Sequence, residues 1–408
     1  MGNKRVVITG VGAISPLGGG VEALMSGIAD GKSAVRYLES WKEYKGLRTY
    51  MGAPARLENE NKIPRQKRRS MGVMSIFAVQ AAEEAVADAG LDLSKTSPHR
   101  VGSIIGSTMG SAISINSFFE QMLPDKTLAE VPAMLFFKGM GHSAAVNVAQ
   151  YFGLTGYIMA TAAACASGLQ AIGTGYNLLR LGVQDVILCG GTEELHPTAS
   201  GVFDNLFATS TKYADTPHKT PRPFDIDRDG IICGEGSGMV VLETLEHAQA
   251  RGARVYAEIR GFNITGDVSH LSQLNTGSMK HCISQTLQEA SIAPDEVDYI
   301  NAHATATLQG DEAEASAIAD LFGDSVPVSS LKGYFGHTLA ASGAIELIAT
   351  LKMMEAGIVY PGLNLDNIDP KCQGIYHPRK AENRQLDTIV KNCFAFGGVN
   401  TSMVCRRI

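Results

Sequence analysis

The sequence predicts an α/β layered fold, and three observations carry the prediction. Strand-like, β-branched segments alternate with segments whose apolar residues recur at helical spacing. Many strand-like segments end in glycine, which suits tight turns at a sheet edge. No linker-like or low-complexity segment interrupts the alternation, so the chain does not divide into independent domains.

The elements follow in order. Strands are expected at 5–10 (RVVITG), 101–107 (VGSIIGS), 185–191 (DVILCGG), 237–245, 255–262, 297–304 (VDYINAHA), 326–331, 389–398 (IVKNCFAFGG) and 401–407. Helices are expected at 71–89, stopped by Gly90, and at 166–181, stopped by Gly182. Three more are expected at 276–290, 311–321 and 341–356. Both halves carry strands, a glycine-rich turn and helices at similar density, as a large internal duplication would. The stretch 193–236 holds Pro197, Pro217, Pro221 and Pro223 with few apolar periods; it reads as a long excursion of the functional kind.

Bulk properties exclude several classes. At 408 residues and 45% hydrophobic content, the chain can bury a large core as two or three domains or one duplicated one. A net charge of −6 argues against nucleic acid as a general partner. No run of 18 apolar residues exists, so no membrane span is expected. The start, MGNKRVVITG, lacks the apolar core of a signal peptide, and Val6 breaks the myristoylation pattern. The seven cysteines are odd in number, widely spaced and free of CxxC pairs. Neither a disulfide framework nor a metal site is expected, and the cytoplasm is the natural compartment.

Two motifs nearly match and fail. GVGAIS (10–15) follows a strand, but Ser15 and Pro16 stand where a dinucleotide fingerprint needs a glycine for close helix packing. DIDRDG (225–230) starts like a calcium loop, but its twelfth position is Gly236 instead of a bidentate carboxylate. A turn tied by aspartates and Arg228 is the better reading.

The chemistry centres on MATAAACASGLQAIG (159–173). Leu169, Ile172, Tyr176 and Leu179 form one helix face, which puts Cys165 at or near the helix start. Exposed N–H groups and the dipole there favour a thiolate. The alternative is a packed, inert thiol. A nucleophilic cysteine wants a histidine, and two stand out. His303 lies in NAHATAT (301–307), at the end of an apolar strand. His337 lies in a glycine-rich turn before a small-residue helix, with Lys332 and Glu346 on either side. Such strand ends gather in α/β folds. NCFAFGGVN (392–400) adds a turn that can present N–H groups to an oxyanion.

Together these segments resemble the β-ketoacyl-acyl carrier protein synthases of the thiolase-like superfamily, most closely the elongating type II condensing enzymes. The resemblance runs from VVITGVGAISPLG through AACASG, GGTEE and RPFDIDRDGIICGEGSGMVVLE. It continues to NAHATAT, GDEAEA, LKGYFGHTLAASGAIE and FAFGGVNTS. It implies a duplicated α-β-α-β-α fold with two related five-stranded mixed sheets. The halves would be 1–250, with the nucleophile, and 251–408, with both histidines.

It also implies roles. Cys165 resembles the nucleophile that takes the acyl chain. His303 and His337 resemble the pair that assists decarboxylation of malonyl carrier protein, supported by Lys332 and Glu346. Cys165 and Phe396 resemble the oxyanion hole through their N–H groups, in a turn with Gly397, and Phe396 resembles a gating ring. Thr305 and Thr307 resemble the hydroxyls that hold the phosphopantetheine arm, and Met109 falls where a residue limits the acyl pocket. No cofactor is implied.

The basic run Lys62, Arg65, Lys67, Arg68 and Arg69 falls where the family meets its acidic carrier protein, although Leu206 replaces an arginine often found there. A homodimer, or a heterodimer with a related subunit, is implied. Ala304, Ala306, Leu308 and Gln309 depart from the usual pattern. They leave a polyene or polyketide pathway as the alternative to fatty acid elongation. A non-catalytic partner subunit would lack the nucleophile, a coenzyme A-dependent enzyme fits the Cys-His-His set less well, and FAFGG distinguishes the chain from a thiolase despite Cys393.

Overall fold

The computed structural model describes residues 3–57, 59–268 and 274–408. Met1 and Gly2, on which the myristoylation reading bears, lie outside the described residues.

Ten strands make the framework. They are β1 (Val6–Ser15), β2 (Val101–Gly106), β3 (Ile158–Thr161), β4 (Val186–Glu193) and β5 (Gly236–Thr244), then β6 (Ala257–Gly266), β7 (Tyr299–Asn301), β8 (Val328–Ser329), β9 (Thr388–Ala395) and β10 (Val399–Arg406). Their spatial order is β3-β2-β4-β5-β1-β6-β10-β9-β7-β8. Each half therefore runs third, second, fourth, fifth, first. The senses also repeat: β2 is parallel to β3 and β4, and β7 is parallel to β8 and β9. β5 is antiparallel to β4 and β1, and β10 to β9 and β6. Identical order and sense in both halves establish the duplication that composition only allowed.

The two five-stranded sheets are not separate. β1 and β6 pair antiparallel through Val6–Ile259, Val7–Glu258 and Ile8–Ala257, which joins them into one path. A short strand, Gly18–Gly19, folds back on β1.

Six helices complete the layers: α1 (Val73–Asp88), α2 (Ser143–Phe152), α3 (Ser167–Arg180), α4 (Thr276–Ala290), α5 (Leu308–Phe322) and α6 (Ser342–Ala356). α1 and α2 cover one half-sheet, and α4, itself packed on α5, covers the other. Between the sheets α3 and α6 pack on each other and on both halves. The apolar face read from the sequence is the buried one: Leu169, Ile172 and Leu179 have no solvent exposure. Burial of each such side chain contributes about 1.5–3 kcal/mol. α6 is apolar almost all round because it sits inside the molecule.

The differences from expectation have local causes. β3 has no alternation and only four residues, so it leaves no period to read. β7 and β8 stop early because the chain turns off towards α5 and α6 once past Asn301 and Ser329. β9 ends at Ala395, and Phe396–Gly398 form the turn. The 193–236 excursion contains an α-helix, Pro197–Asn205, started by a proline at its first position, and a short 3-10 turn at Pro217–Lys219. GVGAIS lies within β1, where Val11 and Ala13 donate N–H bonds to Asp88 and Glu84.

DIDRDG is tied by protein groups. Asp225 accepts from the N–H groups of Asp227, Asp366 and Asn367 and pairs with Arg222 at 3.1 Å. Arg228 is buried and donates to Asp369 at 2.6 Å and to the carbonyls of Asp225 and Leu308. All seven cysteines are unpaired and buried. Among the described residues, no helix is long and apolar enough to cross a membrane.

Candidate active site

The chain reaches α3 through a tight turn at Ala164–Ala166. Ala164 adopts φ 45°, a left-handed conformation that costs about 1–2 kcal/mol for a residue with a side chain. Ser167 secures it: its hydroxyl accepts from the N–H of Ala163 at 2.8 Å and donates to the carbonyl of Ala164 at 2.7 Å. The turn places Cys165 immediately before the helix. The second half repeats the device at Leu339–Ala341, where Leu339 has φ 49° and Ala340 stands in the cysteine's position. The two turns meet closely. A Cβ on Gly168 would lie 2.4 Å from the carbonyl oxygen of Ala340, and one on Gly191 would lie 2.2 Å from it. Only glycine permits that approach.

His337 meets Cys165 directly, with Nε2 2.9 Å from Sγ. Its backbone is clamped by the 193–236 excursion, through His337 N–H to Ile232 at 2.7 Å and Gly234 N–H to His337 at 2.8 Å. His303 is held from α5. Glu314 accepts the N–H groups of His303 and Ala304 at 2.8 and 2.7 Å, and Asp311 accepts that of Ala306 at 3.0 Å. The imidazoles face each other edge to face with centroids 5.3 Å apart. Cys393 sits behind them, donating to the carbonyl of Cys165 at 3.0 Å, with its Sγ 3.5 Å from His303 Nδ1.

Burial sets the proton inventory. It pushes the Cys165 thiol up, and nearby Cys393 adds to that, against the pull of Lys332. Burial thus works against the thiolate that the helix start favours, and the Cys165 thiol lies in contact with the His337 imidazole. Burial, then Lys332, pushes His337 down to about 3. His303 is pushed well below the usual histidine range by burial, with Lys332, the neighbouring His337 and Lys391 adding to it. Two neutral imidazoles can donate hydrogen bonds to developing oxyanions without quenching a carbanion.

A buried charge cluster backs them. Lys332 binds Glu346 Oε1 at 2.6 Å and Lys391 binds Oε2 at 2.5 Å, all three side chains being inaccessible to solvent. Ser342 donates to the same carboxylate, and Lys391 also donates to Asn301 at 2.7 Å. Despite burial, the two ammonium groups hold Glu346 down to about 2. The two lysines share this one carboxylate directly, and Glu314 stands near both.

Cys165, His303, His337, Thr305, Thr307 and Phe396 all line one small chamber of about 20 Å³. Phe203, Ile231, Leu274 and Phe394 complete its walls. A larger cavity of about 340 Å³ lies outside it. The two share Leu274, Thr307 and Phe396, so Phe396 stands between the outer cavity and Cys165, 5.7 Å from the Phe203 ring. The Thr305 and Thr307 hydroxyls lie 3.2 Å apart at this junction. Gly397 has φ 89° in the adjoining turn.

The ligand atoms of Cys165, His303 and His337 lie within 4.8 Å of one another. The 2.9 Å contact of Sγ with His337 is a hydrogen bond, whereas a tetrahedral zinc would hold sulfur and nitrogen roughly 3.5 Å apart. The donor set as arranged fits proton exchange better than metal binding.

Other expected site residues lie elsewhere. Met109 is 53% exposed on the loop after β2 and does not line the chamber. Lys62, Arg65, Lys67 and Arg69 are exposed. Lys67 donates to the carbonyl of Tyr151, and Arg68 to Asn61. Lys391, Glu314, Asp311 and Ser167 escaped the sequence reading. The available signal for Lys391 was a lysine set among the apolar residues Ile389, Val390, Cys393 and Phe394 of a strand.

Fold and site define a class: a duplicated, thiolase-like α/β enzyme with a cysteine and two histidines at its centre. The comparisons name the family. The models "Beta-ketoacyl synthase, N-terminal domain" and "Beta-ketoacyl synthase, C-terminal domain" match residues 3–248 and 256–366. The chain is 35% identical to 3-oxoacyl-[acyl-carrier-protein] synthase 1 of Escherichia coli K12, over 99% of both chains. A solved β-ketoacyl synthase from Burkholderia phymatum superposes with a TM-score of 0.96 at 42% identity, covering 99% of this chain and 100% of that one. A type II polyketide ketosynthase, solved with its acyl-carrier protein and bound to a hexaketide, gives 0.92 at 30% identity over the whole of both chains. The chain belongs to the β-ketoacyl synthase family, as a type II β-ketoacyl-acyl carrier protein synthase. It is an acyltransferase that performs a decarboxylating condensation.

Proposed function

We propose that Cys165 carries the growing acyl chain and that His303 and His337 run the condensation, in fatty acid elongation or a related chain-building pathway. Cys165 Sγ attacks the acyl thioester, the arm's thiolate leaves, and the cysteine proton passes through His337 to it. Malonyl thioester then enters, loses CO2, and leaves an enolate whose oxygen is held by the two neutral imidazoles. The carbanion carbon attacks the Cys165 thioester, forming the new C–C bond. The tetrahedral oxyanion points to the N–H groups of Cys165 and Phe396. Collapse expels the Cys165 thiolate, which takes a proton from water by way of His337, so one proton is consumed for each CO2 released. Lys332 and Glu346 position His337, and Thr305 and Thr307 hold the arm. Met109, exposed and off the chamber of this chain, limits the acyl pocket where a partner subunit closes over it. The scheme needs no cofactor or metal.

The observation that carries this reading is the 2.9 Å contact of Cys165 with His337 beside His303 in one buried chamber. The test is product stoichiometry. One CO2 should be released for each 3-oxoacyl product, and His303→Ala and His337→Ala should each lose condensation by at least about a hundredfold. Retained condensation in either variant sinks the assignment.

The partner proposed is an acyl carrier protein. The carrier complex of the similar polyketide ketosynthase and the basic run 62–69 support it. A homodimer or a related heterodimer is supported by β3, an end strand that leaves Ile158 and Met159 exposed. The halves are proposed as 1–250 and 251–408, and the compartment as the cytoplasm, in keeping with unpaired cysteines. A polyene or polyketide pathway is the second reading, favoured by the same carrier-bound relative.

A further inference from the structure

One thiol beside the reaction centre takes no part in making or breaking bonds. Cys393 lies near the end of β9, without solvent exposure. The sheet fixes its place: it pairs with Thr401 of β10, whose hydroxyl donates to the Cys393 carbonyl at 2.9 Å. Its side chain points to the same face of the strand as that of Lys391, two residues before it. Burial pushes the thiol up to about 12 against the pull of Lys391, so the sulfur keeps its hydrogen.

A cysteine in a core packs as a small hydrophobe and needs no polar partner. This one has two. The carbonyl oxygen of Cys165 lies 3.0 Å from Sγ, and Nδ1 of His303 lies 3.5 Å from it. Rotation about the Cβ–Sγ bond offers the one thiol hydrogen to either. His303 lines the Cys165 chamber, whereas Cys393 stands outside it. Nδ1 is therefore the nitrogen at the back of the ring, and Nε2 is the one left for the chamber.

A neutral imidazole carries one ring hydrogen, and the partner of one nitrogen decides which nitrogen bears it. The two histidines differ in this respect. His337 meets Cys165 through Nε2, and its Nδ1 has no hydrogen-bond partner among the described residues. His303 has the Cys393 thiol set against Nδ1.

We propose that Cys393 is a positioning residue for the condensation: its S–H, turned towards His303 Nδ1, holds the ring hydrogen on Nε2, which donates it in a hydrogen bond to the thioester oxygen of the malonyl group as the enolate forms. This rests on the reading of His303 as a donor to that oxygen. The sulfur forms no bond in the reaction and acts through the ring. A hydroxyl in its place serves the same purpose, and a methyl group does not.

The test is a double-mutant cycle with two readouts: CO2 release from malonyl carrier protein by the acylated enzyme, and acylation of Cys165 followed by mass. Cys393→Ala should lower kcat for CO2 release by about tenfold, and leave both KM for the malonyl donor and the acylation rate within about twofold. Cys393→Ser should restore kcat to within about threefold of the wild type. In a His303→Ala background, Cys393→Ala should cost nothing further. Equal losses in both readouts, no loss, no rescue by serine, or an undiminished loss without the His303 ring overturns the positioning role. A His303→Ala enzyme that releases CO2 as the wild type does overturns the reading of His303 and this proposal with it. Should Cys393→Ala not fold, nitrogen NMR of the wild type with isotope-labelled histidine decides. The His303 signal, identified by its loss in His303→Ala, should be that of the Nε2–H tautomer, and the Nδ1–H tautomer overturns the proposal.

Discussion

Lys332 and Lys391 bind opposite oxygens of one buried carboxylate, that of Glu346, behind the two histidines. The first lysine comes from the turn before His337 and the second from the centre of β9, so the charge cluster joins two elements of the second half.

Lys391→Met tests the electrostatic part of this arrangement. Lys391 faces Glu346, Asn301, Lys332, Glu314 and Cys393, and it helps to keep His303 and His337 neutral. Its removal raises both histidine pKa values. The acid limb of the decarboxylation rate then moves to higher pH, by roughly one unit. A rate profile carried down to about pH 3, so that it spans the wild-type value of His337 and the rise above it, checks this. An unmoved limb in a folded variant contradicts it.

Glu314→Gln separates the two halves of the reaction. Glu314 accepts two N–H groups beside His303, while the Sγ contact belongs to His337. Condensation should fall by about tenfold or more, and acylation of Cys165 by much less. Stopped assays with mass detection give both rates. Equal losses would show that Glu314 merely holds the fold.

The depressed histidines predict an acid-sensitive contribution to stability. His337 is pushed to about 3 in the folded protein, against an unfolded value of about 6.5. Its contribution is complete above pH 6.5 and is lost as pH falls through that window towards 3, because the unfolded chain binds the extra proton. Glu235 and Asp311, raised to about 7, act in the opposite sense, so the wild-type curve alone is not diagnostic. The difference in unfolding free energy between wild type and His337→Gln should shrink with acid, by at most about 1.4 kcal/mol per pH unit. A pH-independent difference is the contrary result.

Arg228→Met should destabilise the protein by about 3–5 kcal/mol, since it strands Asp369 and Asp311 near a buried site. Thermal unfolding measures it. Calcium and chelator should leave the wild-type midpoint unchanged, because Asp225 already spends its oxygens on N–H groups and Arg222. A calcium-dependent midpoint would restore the ion-binding reading of 225–230.

Much of this was legible in the sequence for physical reasons. The helical face of Leu169, Ile172 and Leu179 has a period that burial enforces, so both α3 and the position of Cys165 before it could be read. The histidines could be read as strand-end residues. Lys391 and Glu314 could not be assigned, because their partners lie on other elements, 45 and 11 residues away along the chain. The duplication was hidden in composition but is carried by Ala164–Gly168 and Leu339–Gly343, which share Ala-Ser-Gly and a left-handed first residue. The β1–β6 ladder could not be read, since edge pairing leaves no local period. The helix-start argument considered the dipole alone; burial, which pushes the Cys165 thiol up, could not be read before the fold was known.

The most direct measurement is the intact mass of the protein after incubation with acyl carrier proteins bearing saturated and polyunsaturated chains, with Cys165→Ala beside it. The account predicts a mass gain equal to the acyl group in the wild type and none in the variant, and the preferred chain separates the two pathways. Acylation that persists in Cys165→Ala, or its absence with every donor, would contradict the central claim.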